Sequence, residues 1–119
     1  MISLKTGQSP VADFEQFFER SISGFLITDA QGVILKSNTR ISDWTGFPAD
    51  QLEGKRFSDL FGIGSKIYYE THLWPLLRMQ GFFDEVLIEL SGPENQRTSF
   101  LVNALECRNE EGNPESVHF

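Results

Sequence analysis

Between positions 82 and 108 the chain carries two long runs in which apolar and polar residues alternate, separated only by Ser91-Gly92-Pro93-Glu94-Asn95. Alternation with a period of two marks a strand with one buried face, and so short a connection rich in Gly, Pro and Asn returns the second strand antiparallel to the first. In Phe82 to Leu90, Val86, Ile88 and Leu90 alternate with Leu87 and Glu89, and the second run extends from Thr98 to Arg108. The chain is thereby committed to an antiparallel sheet, and its other segments must cover that sheet.

Those segments are short and punctuated by glycine and proline. Ser9-Pro10 has the form of an N-cap followed by proline at the first helical position, and Val11, Phe14, Phe17, Phe18 and Ser21 then share one helical stripe that Gly24 ends. Phe25 to Thr28 and Val33 to Lys36 flank the polar turn Asp29-Ala30-Gln31-Gly32 as a hairpin. Asn38 is placed to cap a helix bearing Ile41 and Trp44, Gly46 ends it, and Pro48 opens another short turn that Gly54 ends. Phe57, Leu60 and Phe61 predict one more helical turn, closed by Gly62 and Gly64. The longest helical pattern, Ser65 to Gln80, follows; Pro75 is expected to kink or break it, because proline has no N–H to bond the Thr71 carbonyl. Beyond the two long strands, Glu110 to Pro114 turn the chain into Ser116-Val117-His118-Phe119, read as the start of a strand that stops, and hence as a last strand truncated from a longer parent. The expected architecture is α+β, with helices on one face of an antiparallel sheet. Residues 1–23 form an N-terminal cap or dimerisation helix and residues 24–119 the domain proper.

Composition narrows the function. With 119 residues, 39% of them hydrophobic and 11 of them Phe, one core can form and two cannot. An excess of 17 acidic over 10 basic residues, a net charge of -7, opposes binding to nucleic acid or to an anionic membrane surface. A single cysteine, Cys107, excludes an internal disulfide, and two histidines are too few for the usual zinc site. Met1 to Ser9 has no apolar targeting core and no stretch is apolar for the length of a bilayer, so a cytoplasmic location without direct membrane contact is expected, whether or not the parent is anchored.

The stretch Gly24-Phe-Leu-Ile-Thr-Asp-Ala-Gln-Gly-Val-Ile-Leu-Lys-Ser-Asn38 resembles the opening hairpin of PAS domains. Trp44-Thr-Gly-Phe-Pro-Ala-Asp-Gln-Leu-Glu-Gly-Lys55 resembles the helical turns that follow it, and Phe100 to Pro114 is similar to the penultimate strand and its turn. Lys66 to Gly81 is similar to the long helix of bacterial sensory-box modules found ahead of phosphatase, diguanylate cyclase (GGDEF) or histidine kinase domains. The resemblance implies a five-stranded antiparallel sheet, a pocket between it and the long helix, and signalling to a fused output domain through dimer packing or the exit helix.

Four residues are candidates for that pocket: Trp44, Tyr68, His72 and Asn103. Some oxygen-sensing PAS domains ligate haem through a histidine on the long helix, which would be His72; Tyr68, His72 and Leu76 also recur every four residues, so His72 is equally open to a packed or an exposed place without metal. Asn103 lies between Leu101 and Leu105, and if those leucines enter the core its amide goes with them and needs a ligand, a carbonyl or a water as partner. Trp44, Phe57, Tyr68, Tyr69 and Trp74 offer large apolar walls, with Trp44 and Tyr68 expected on inner stripes. A small organic ligand of unknown identity is the leading expectation; haem and flavin are weaker ones. The light-sensing subgroup needs a cysteine in its helical region that this chain lacks, and Cys107 has no basic cluster or histidine near it in sequence to activate it. Val11, Phe14, Phe17 and Phe18 pack on their own sheet or against a second copy, and a homodimer is favoured; a ligand-free dimerisation module is the alternative. Neither a nucleophile triad nor a phosphate-binding Gly-x-x-x-x-Gly-Lys loop is present, so no enzyme is expected.

Overall fold

A computed structural model describes residues 13–119. The expected cap at Ser9-Pro10 and the start of the apolar stripe at Val11 lie outside the described residues. Helix α1 spans Phe14–Glu19, and Asp13 caps it by accepting a hydrogen bond from the Gln16 amide. Strands β1 (Leu26–Asp29) and β2 (Ile34–Ser37) form the hairpin, followed by α2 (Thr39–Thr45), α3 (Ala49–Leu52) and a 3₁₀ turn at Phe57–Leu60. The long helical segment comprises α4 (Ile63–Tyr68), a π turn (Tyr69–Leu73) and α5 (Trp74–Gln80). Strands β3 (Phe82–Ser91), β4 (Arg97–Arg108) and β5 (Pro114–His118) complete a five-stranded antiparallel sheet in the order β2-β1-β5-β4-β3. The α+β architecture is the one expected, with β5 at the centre of the sheet between β1 and β4.

The long helix departs from expectation at both of its punctuation marks. It begins at Ile63 with Gly64 inside it, because Gly62 acts as the N-cap and its amide bonds the Glu89 carbonyl of β3. Gly62 thus starts this helix and does not close the preceding turn. Pro75 does not break the helix. The residues before it widen into a π turn in which the Trp74 amide reaches back to the Tyr69 carbonyl, and the Pro75 ring sits in the first turn of α5, where a missing N–H costs little.

The widened turn also decides which side chains face the sheet. Two series with a spacing of four run side by side, Tyr68-His72-Leu76 and Tyr69-Leu73-Leu77. The second is buried throughout, whereas Tyr68 and His72 are exposed. The inner series carries Leu73 where the outer one carries His72, so burying it removes more hydrocarbon from water. In β4 the same choice falls on Phe100, Val102, Ala104 and Glu106, which turn towards the helices, while Leu101, Asn103 and Leu105 face outward. Leu101 and Leu105 thus lie outside the core, and Asn103 with them. Alternation alone does not say which face is inside when both carry apolar residues.

One charged residue enters the core. The Glu106 carboxylate has no exposed surface and is held by Arg78 of α5 at 2.6 Å and by Arg108 at 2.8 Å. Arg78 also donates to the Ala30 carbonyl in the β1–β2 turn and lies over the Trp74 ring, 4.7 Å from its centre. The cluster joins the C-terminal end of the long helix to the sheet and to the first hairpin. Among the described residues no helix is long and apolar enough to cross a membrane.

The assignment of the inner helical face is testable by substitution at neighbouring positions. Leu73→Ala should lower the unfolding free energy by about 2–5 kcal/mol in a denaturant titration. His72→Ala should change it by no more than about 0.5 kcal/mol. Equal costs would contradict the assigned face. Glu106→Ala should cost about 1–3 kcal/mol in the same titration, because it removes the charged hydrogen bonds from Arg78 and Arg108, which are themselves partly exposed; a neutral result would show that the cluster does not bind α5 to β4.

Candidate functional site

The space between the sheet and the long helix is closed by Tyr69, Leu73 and Leu77, each no more than 4% exposed. Burial in that packing holds the Tyr69 hydroxyl well above the usual phenol range, against the opposing pull of the nearby Arg78. A cavity of about 280 Å³ lies instead beside α2, over the opposite end of the sheet. Ile41, Trp44 and Thr45 form one wall, Phe57 and Leu60 of the 3₁₀ turn another, and Leu90, Phe100 and Val102 the floor. Ser23, Gly24 and Phe25, the connection from α1 into β1, close a further side together with Phe119. No residue of the long helix lines it, so it is a different space from the one between the sheet and the long helix that the resemblance implies.

Local chemistry explains why the chain folds into these walls. Asn38 ends β2 and caps α2: its Oδ1 accepts from the amides of Ile41 at 3.2 Å and Phe25 at 3.0 Å. Its Nδ2 donates to the carbonyls of Phe18 and Ser23, each at 2.9 Å, and its own amide donates to the Phe25 carbonyl. The side chain is fully buried and every hydrogen-bonding position of the amide is used. Gly24 rests directly on α2, where a Cβ would stand 2.6 Å from Ile41 Cδ1 and 2.8 Å from Trp44 Cζ3. Gly46, in the left-handed conformation at φ 80°, ends α2 as its sequence position requires.

The sequence candidates separate on this geometry. Trp44 stands in the cavity wall, 43% exposed and stacked on Phe100 with 5.4 Å between ring centres. Asn103 borders the cavity, but its side chain is on the outer face of the sheet, where Oδ1 accepts from the Glu85 amide at 2.7 Å. Glu85 has φ 52° at a bulge between Phe83 and Val86, so the amide of Asn103 holds a strand irregularity. Tyr68 and His72 stack on each other at 5.0 Å on the exposed side of the long helix, with the His72 ring also beside the Thr71 hydroxyl. His72 thus points away from the core, and no histidine, cysteine or charged residue lines the cavity. These residues do not fit an axial haem ligand there, and no cluster of three or more metal-binding side chains occurs among the described residues.

On α1, Phe14 and Phe17 are 73% and 70% exposed, while Phe18 turns inward onto Phe25. Lys36 lies over the Phe18 ring and pairs with Glu15 at 2.9 Å, so α1 is also held to β2. A shallow open depression of about 700 Å³ continues from Phe18 over the outer face of the sheet through Ile27, Phe82, Leu105 and His118. On this face the structure brings Cys107 within 3.6 Å of a ring nitrogen of His118, which lies eleven positions away in sequence on the adjacent strand. Asn38 was legible as a helix cap but not as the tie between α1, β1 and α2, because three of its partners are backbone groups distant in sequence.

A family model described as a PAS domain matches residues 22–118. The phosphoserine phosphatase RsbP of Bacillus subtilis (strain 168) is 22% identical over 82 residues, 69% of this chain, and the chain spans 20% of that relative's length. Among solved structures, the PAS domain of a protein from Colwellia psychrerythraea superposes with a TM-score of 0.80 at 14% identity, covering 92% of this chain and 93% of that one. The PAS domain of an HTR-like protein from Haloarcula marismortui gives 0.67 at 18% identity, covering 88% and 90%. With the sheet order, the helices on one face and the matched span in agreement, the chain belongs to the PAS domain family.

Proposed function

We propose that the chain is the sensory input module of a bacterial signal-transduction protein, binding a small molecule in the cavity beside α2 and regulating a fused output domain through the packing of a homodimer. The observation that carries this reading is the composition of the cavity wall. Ser23 to Phe25 line the cavity and lead directly back into α1, whose exposed Phe14 and Phe17 suit a helix that packs on a second copy. A molecule that moves this wall therefore moves the dimer contact, which is the differential interaction a ligand needs in order to shift one arrangement against another. The relationship to a phosphatase favours a phosphatase-type output, with diguanylate cyclase and histidine kinase outputs as the other members of the same class. The role is regulatory and not catalytic, and it is exercised in the cytoplasm.

A ligand-free dimerisation module is the second reading, favoured by the outer face of the sheet. Leu87, Leu101 and Leu105 are 64%, 69% and 54% exposed there, an apolar surface continuous with the depression beside α1. Both readings require the dimer, so light scattering at micromolar concentrations is the first measurement. The protein should run as a dimer, and Phe17→Glu and Leu101→Glu should each give a monomer with unchanged circular dichroism, since each would place a carboxylate in a desolvated contact. A monomeric parent at all concentrations would remove dimer packing from the mechanism.

A further inference from the structure

The cavity beside α2 also restricts what can occupy it. Its lining contains no Asp, Glu, Lys, Arg or His, so a charged ligand would be desolvated there without a counter-ion. Several of its polar groups are already engaged. The Thr45 hydroxyl donates to the Ile41 carbonyl at 2.7 Å and accepts from the Phe47 amide at 3.3 Å. The Ser23 carbonyl and both backbone groups of Phe25 are bonded to Asn38, and the Asn103 Oδ1 is bonded to Glu85.

The remaining surface is aromatic. Trp44 stacks on Phe100, and Phe57 lies against Phe119 with 4.7 Å between ring centres. Flat walls of this kind favour a planar guest that can stack in offset or edge-on geometry. Size is limited as well. An apolar cavity of about 150 Å³ accepts benzene, so one of about 280 Å³ has room for roughly a dozen non-hydrogen atoms.

We infer that this cavity is a binding site for an uncharged aromatic molecule of one or two fused rings, and that its occupancy is felt first at Gly24. The inference rests on the sensor reading above and gives the ligand its chemical class. Gly24 has no side chain to yield and is seated on Ile41 and Trp44, so a guest that displaces either side chain displaces the β1 entry strand. That strand is tied to the end of α1 through the Asn38 amide.

Indole and its charged counterpart indole-3-carboxylate provide the test, followed by amide chemical shifts of the dimeric protein. Indole should shift Gly24, Phe25, Trp44 and Val102, and indole-3-carboxylate should bind at least about tenfold more weakly, because its carboxylate finds no counter-ion in the cavity. Val102→Phe, which fills the floor, should abolish the indole shifts. The comparison of the neutral and charged probes on the parent protein decides the inference even where that variant fails to fold. No shift with indole at millimolar concentration, equal binding of the two probes, or shifts confined to Ile27, Phe82 and Leu105 on the outer face would overturn it. The sensor reading fails separately: indole shifts in the cavity with unmoved amides at Phe17 and Arg20 would establish the site and remove its link to α1.

Discussion

The arrangement around the cavity depends on one buried amide. Asn38 offers two donors and an acceptor oxygen, and the structure fills all of them with groups from three elements: the end of α1, the entry to β1 and the first turn of α2. A buried backbone group left without a partner costs about 1–3 kcal/mol, so the four bonds are worth more as a set than any one hydrogen bond contributes alone. Apolar packing supplies most of the stability of such a domain, but it is not directional. The amide fixes how a helix with only one partly buried aromatic, Phe18, is oriented on the rest of the fold.

The two ends of the helical face consequently differ in character. At one end Arg78 and Arg108 hold the buried Glu106 carboxylate, and the π turn keeps Tyr69, Leu73 and Leu77 in one buried row against the sheet. At the other end α2 is short, Trp44 is partly exposed, and space remains between the helix and β4. The end with space beside the helix is the one connected to α1.

Much of this was legible in the sequence because glycine, proline and asparagine mark the ends of elements in a way that depends on local geometry. The hairpin, the cap at Asn38, the stop at Gly46 and the two long strands follow from residues close together in the chain. The failures share a different cause. Tyr68-His72 and Tyr69-Leu73 differ by one position in a helix, and Leu101-Leu105 and Phe100-Val102-Ala104 differ by one in a strand, so the choice of inner face rests on the total burial of the whole domain. Pro75 signalled an interruption but not its form, since a π turn relieves the same missing hydrogen bond that a break would. Glu106 carries a signal of its own, a carboxylate in phase with Ala104 and Val102 and two residues from Arg108, but its partner Arg78 is recognisable only once α5 lies on β4. The proximity of Cys107 and His118 likewise exists only through strand register.

The central claim is that the Asn38 side chain couples α1 to the cavity wall, and Asn38→Asp isolates it. The carboxylate keeps the acceptor for the Phe25 and Ile41 amides but loses the donors to the Phe18 and Ser23 carbonyls. Hydrogen exchange in this variant should show faster exchange at Phe17 and Arg20, the amides bonded within α1, with protection retained across the β4–β5 pairing. Unchanged protection of α1 in a folded Asn38→Asp protein would contradict the account and leave Phe18 and Lys36 as the contacts that position the helix.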